Sequence, residues 1–103
     1  ASAMSRVLRF ALSVVALAIA TDGAVLADPE IALDGIPLET ADGEPMDEVV
    51  MTAVEGTLKS IPAKRRRDVE LVRDAMKRAV RSAIFNRWGK KPICKVMISV
   101  VED

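Results

Sequence analysis

The spacing of apolar and polar positions changes along this chain, and the changes divide it into elements. Leu12 to Ile19 is a run of Leu, Val, Ala and Ile broken by one Ser, which predicts a strand. Asp22-Gly23 is a two-residue hairpin signal, and Ala24-Val25-Leu26-Ala27 reads as the returning strand. Asp28-Pro29-Glu30 breaks the pattern. Ile31 to Leu33 then resumes as a short edge strand, since Pro29 and Pro37 keep it from a central place in a sheet. Glu39 to Pro45, with Asp42-Gly43, is a polar loop.

The period then lengthens. From about Pro45 to Ser60, Met46, Val50, Ala53, Val54, Thr57, Leu58 and Ile61 share one helical face. Asp47 and Glu48 suit the positive end of that helix, and Pro62 stops it. A second helix is predicted from about Arg67 to Trp88, with Val69, Val72, Met76, Ala79, Val80, Ala83 and Ile84 as its apolar stripe. Glu70 with Arg73 and Asp74 with Arg78 are candidate pairs along it. Arg87, Gly89 and Pro92 give its end signals. The period shortens again from Ile93 to Val101, with Cys94, Val96, Ile98 and Val100 on one side and Lys95 and Ser99 on the other. Trp88 is expected to anchor the junction before this strand. The expected fold is α+β: a two-layer sandwich with two helices on one face of a small, about three-stranded, mixed sheet.

Composition removes most chemistry. The chain of 103 residues has no His and one Cys. Without His, the Ser/His/Asp and Cys/His nucleophilic sites are excluded, and a Cys/His zinc site cannot be assembled. An oxygen-only site for a hard cation would have to use Asp28, Glu30, Asp34 and the acids from Glu39 to Asp47, which lack the alternation of a calcium loop. Cys94 reads as a small buried hydrophobe. The lone Cys is compatible with a reducing cytoplasm, the expected location. No cofactor is expected for this chain. Gly23, Gly35, Gly43, Gly56 and Gly89 stand singly, so no phosphate cradle is present.

The formal net charge of zero conceals a division. Asp22 to Glu55 holds ten acids and no Lys or Arg; Lys59 to Lys95 holds thirteen basic residues against Asp68, Glu70 and Asp74. The two halves could neutralise one another, with Glu39, Glu44, Asp47, Glu48 and Glu55 set against the cations. Otherwise the basic half forms a patch for RNA or an acidic partner. Arg73, Lys77 and Arg81 recur every four residues as a ridge, and with Arg65, Arg66 and Arg67 they are the candidate RNA-binding residues.

At the N-terminus, Ala1-Ser2-Ala3 reads as a cloning remnant, leaving residues 4–103 as one domain. Met4 to Ala27 could also pass for a secretory signal, with Arg6 and Arg9 as its charged region and Phe10 to Ala20 as its apolar stretch. The hairpin is the preferred reading. That stretch is too short to span a bilayer, and no membrane partner is expected.

Over roughly Phe10 to Val101 the chain resembles the C-terminal domain of bacterial ribonuclease J, of the metallo-β-lactamase/β-CASP ribonucleases. The resemblance rests on order. An apolar strand runs through an Asp-Gly turn into Val25-Leu26-Ala27-Asp28-Pro29-Glu30-Ile31. Two helices follow, the second with the texture Met76-Lys77-Arg78-Ala79-Val80-Arg81. A basic-Pro-strand tail closes the chain from Trp88-Gly89-Lys90-Lys91-Pro92 to Val101. Many relatives have Ser-Arg-Gly where this chain has Leu33-Asp34-Gly35, so no role of that Arg transfers.

The resemblance implies a non-catalytic segment of a larger RNA-degrading and RNA-processing enzyme. In that enzyme two zinc ions on upstream domains hydrolyse phosphodiesters, from the 5′ end or internally. It also implies upstream catalytic domains of the same chain as partners, and a role in subunit assembly. A homodimer is expected, because the strands offer more apolar surface than two helices can cover. Val15, Leu17, Ile19, Ile98 and Val100 are the candidate self-association residues. The alternatives are an auxiliary RNA-binding module through a basic helix, or a small secreted protein with a signal starting at Met4.

Overall fold

The computed structural model describes residues 10–102. Strands β1 (Leu12–Ala20) and β2 (Glu30–Asp34) come first, then helices α1 (Met46–Ser60) and α2 (Val69–Trp88), and strand β3 (Ile93–Val101) closes the chain. The sheet order is β2-β1-β3, with β1 antiparallel to β2 and parallel to β3. Both helices lie on one face, giving the expected α+β two-layer arrangement. Residues 1–3, read as a cloning remnant, and Arg6 and Arg9, read alternatively as the charged region of a signal, lie outside the described residues.

The hairpin exists but returns later than its turn signal suggests. After Asp22-Gly23 only Val25 bridges back to Ile19, and Ala24–Ala27 is not a strand. The returning strand is β2, registered with Leu12 opposite Asp34 and Ala16 opposite Glu30. Asp28 and Pro29 explain the delay. Pro29 has no N–H to give the ladder, so regular pairing starts only beyond it. The apolar stretch read alternatively as part of a signal is the central strand of the sheet, with Val15, Leu17 and Ile19 in the core.

Gly23 fixes the turn. Its φ of +92° is open to glycine at little cost, and a Cβ there would fall 2.0 Å from the Ala63 carbonyl oxygen. The connection between the helices therefore packs directly against the turn after β1.

The helices follow their apolar stripes. Met46, Val49, Val50, Val54 and Leu58 of α1 face Val72, Met76, Val80 and Ile84 of α2 across the core, and Ile61 closes the end of α1. Val49 joins the core although the sequence stripe omitted it. The basic run Arg65–Arg67 forms a 3-10 turn, so α2 starts two residues later than predicted, at Val69. Asp68 caps it, its carboxylate accepting the Leu71 N–H at 3.2 Å. Gly89 ends it in the left-handed region, its N–H donating to the Phe85 carbonyl. Trp88 is half-buried against the core at the junction with β3, as expected.

Candidate binding surfaces

Strand parity divides β1 between two environments. Ser13, Val15, Leu17 and Ile19 point under the helices and are buried. The buried Ser13 hydroxyl donates to the Cys94 sulfur at 3.1 Å across the parallel pair, which fits Cys94 as a small core residue. Val15, Leu17 and Ile19 therefore cannot form a self-association surface. Ile98 also packs against the core from β3. Of the five candidates only Val100 is exposed; it sits opposite the buried Ile19, near the end of β3.

The apolar surface open to a partner is the opposite face. There the cross-strand rows are Asp34, Leu12, Ile93; Ala32, Val14, Lys95; and Glu30, Ala16, Met97. Ile93, Met97 and Val101 are 58%, 53% and 44% exposed, around a shallow centre of Val14, Ala16 and Ala18. Acids rim this face on β2 and Lys95 stands on β3. The odd-even assignment was legible in the alternation of β3. In β1 it was not, because a central strand of Val, Leu, Ala and Ile is apolar on both sides.

The basic residues separate into inward and outward groups. Arg66 is turned inward: its Nε donates to the Gly23 carbonyl at 2.7 Å, and its Nη1 to the Leu58 and Ile61 carbonyls at 3.1 and 2.7 Å. One guanidinium thus ties the β1 turn to the C-terminal end of α1, where carbonyls lack helical partners. Arg73 is also committed. It pairs with Glu70, as expected, and its Nε reaches the Val96 carbonyl at 3.4 Å, on the free edge of β3. Arg78 does not pair with the Asp74 carboxylate; its Nε contacts the Asp74 backbone carbonyl instead.

The outward cations fall in two places. Lys64 and Arg67 line a cavity of about 460 Å³ with Thr21, Asp22 and Ala63, beyond the end of β1; Arg65 is exposed in the same 3-10 turn. Lys77, Arg78 and Arg81 line a second, of about 370 Å³, whose other wall is Lys91, Pro92, Ile93 and Cys94. α2 runs from one cavity to the other. Lys77 and Arg81 were legible as members of a ridge. Lys91 was not, because only the turn from α2 into β3 brings it back beside them.

Of the acids expected to neutralise the basic half, Glu44 alone forms an ion pair, with Arg87. Among the described residues the only other ion pair is Arg73–Glu70, and no group of three His, Cys, Asp or Glu is placed to hold a metal. No helix among them is long and apolar enough to cross a membrane.

Comparison with known proteins adds two findings. A family described as "Ribonuclease J C-terminal domain" matches residues 12–101, from the start of β1 to the end of β3. A ribonuclease J from Sinorhizobium meliloti is 40% identical over 76 residues, which cover 74% of this chain and 14% of that protein. The chain thus matches only a small part of its relative's length.

Proposed function

The chain belongs to the ribonuclease J C-terminal domain family, and on that premise we propose that it is a non-catalytic assembly domain of a zinc-dependent ribonuclease. It holds copies of the parent enzyme together, or seats the catalytic domains upstream, in RNA processing and degradation. The zinc and the hydrolytic chemistry belong to those upstream domains; this chain has no His to contribute.

The observation that carries the reading is the uncovered face of the sheet. Ile93, Met97 and Val101 stand exposed opposite Leu12, Ala16 and Ala20, with no helix among the described residues over them. Exposed large apolar side chains grouped on one sheet face, here with Lys95 and Ser99 between them, suit an interaction surface. The charges at its margins favour a second copy. In a two-fold arrangement each patch meets itself reversed, so Glu30 and Asp34 on the β2 margin approach Lys95 on the partner's β3 margin.

Sedimentation of the chain across a concentration series tests this. We expect a dimer at micromolar concentrations and above, and a folded monomer for the double variant Val14→Glu with Met97→Glu. A wild-type monomer at every concentration, with no binding to the upstream domains supplied separately, would overturn the assembly role.

Direct contact with RNA is a second reading, supported by a separate observation. Lys77, Arg78, Arg81 and Lys91 face solvent without a carboxylate partner among the described residues. Uncompensated cations of this kind suit a polyanion.

A further inference from the structure

We infer that the cleft between the C-terminal half of α2 and the start of β3 is a phosphodiester-backbone site that seats one strand of RNA beside the upstream domains. The inference rests on the direct-contact reading and narrows it to one of two basic clusters.

Four features select this cleft. The first is its charge. Lys77, Arg78, Arg81 and Lys91 converge on a concavity of about 370 Å³ that no acid lines. Lys77 and Arg81 stand at i, i+4, where like charges repel, and a bound anion relieves that repulsion. The rival cavity at the other end of α2 has Asp22 in its wall, and the neighbouring Arg66 donates to three backbone carbonyls. That end has fewer free cations and a fixed negative charge.

The second feature is shape. Pro92, Ile93 and Cys94 give the cleft an apolar wall facing the cations of α2. Helix α2 on one side and this segment on the other leave a concavity that a single backbone can follow.

The third is the state of the nearby aromatics. Lys91 lies 5.5 Å from the Phe85 ring centroid and Lys90 lies 5.3 Å from that of Trp88. Each ring already carries a cation, so neither offers a free platform for a base. Recognition is therefore of phosphates and independent of sequence.

The fourth is position. The Ile93 N–H donates to the Ala11 carbonyl at 2.7 Å, so the chain preceding β1 joins the domain at the end of the sheet where the cleft lies. In a C-terminal domain the catalytic part precedes that point. RNA held in the cleft lies beside it.

The test compares two charge-removing variants of the chain. One carries Lys77→Gln, Arg81→Gln and Lys91→Gln; the other carries Lys64→Gln, Arg65→Gln and Arg67→Gln. All six residues are exposed, and thermal unfolding checks that both variants fold. Binding of oligouridylate and oligoadenylate is measured by fluorescence anisotropy at several salt concentrations. A hairpin duplex and polyglutamate serve as competitors.

The cleft variant is expected to bind both oligomers about tenfold or more weakly, with the log–log salt slope flattened by about one unit per lost phosphate contact. The other variant should bind as wild type does. If the loss instead follows the second variant, or both equally, the cleft is overturned while RNA contact by the domain stands. If wild type binds neither oligomer at low salt, both fail. Displacement by polyglutamate as effective as by RNA would make the cleft a protein-binding groove, and equal capture of the duplex would remove the single-strand assignment.

Discussion

The two faces of β1 are built from the same few residue types and have opposite fates. On one, Val15, Leu17 and Ile19 are sealed beneath two helices; on the other, Leu12, Val14, Ala16 and Ala18 lie on a sheet surface that no helix among the described residues covers. Apolarity made the strand central without saying which side would be core. The helices decided that, because both pack on the same face and leave the other without helix cover among the described residues.

Substitutions on each side test the contrast. Ile19→Ala should cost about 2–5 kcal/mol of unfolding free energy, through lost burial and the cavity left behind. Met97→Ala on the open face should change the stability of the monomer by less than about 0.5 kcal/mol. Chemical denaturation at concentrations below self-association separates the two. Equal effects would mean that the open face is packed as tightly as the core.

A similar contrast lies within three consecutive arginines. Arg66→Ala removes a guanidinium that satisfies three carbonyls, and hydrogen bonds to charged groups each contribute about 1.5–3 kcal/mol. Some of that is recovered when water reaches the carbonyls, so we expect a loss of about 2 kcal/mol. Arg65→Ala should cost less than about 0.5 kcal/mol. Thermal unfolding of both, with RNA binding measured alongside, shows whether Arg66 acts on the fold.

A smaller loss than that of Arg66→Ala is expected at the start of α2. Asp68→Ala should cost about 1 kcal/mol by removing the cap on Leu71, and Asp68→Asn should retain most of that stability. Were both to lose the same amount, Asp68 would be stabilising the helix by charge and not by its hydrogen bond.

Much of the fold was legible because it depends on local periodicity. β3 runs from Ile93 to Val101 as its alternation indicated, and α1 and α2 bury the stripes that their spacing marked. The misplaced return of the hairpin shows the limit of that method. Asp22-Gly23 announced a turn correctly, but where the chain resumed pairing depended on Pro29 and on which residues met the face of β1. The candidate sites were less legible. Arg65, Arg66 and Arg67 are alike as letters, yet one is structural and two face solvent, a difference set by carbonyls from Gly23, Leu58 and Ile61.

By itself, then, the sequence determined the element types, the family resemblance, the lack of imidazole chemistry and the separation of charge into an acidic and a basic half. Each of these follows from residue identity and short-range spacing. Only the tertiary structure decided which face of the sheet stays open, which arginines are committed to backbone carbonyls, and that Lys91 joins Lys77, Arg78 and Arg81 around one cleft. Those outcomes depend on contacts between elements far apart in the chain, where geometry assigns different work to identical side chains.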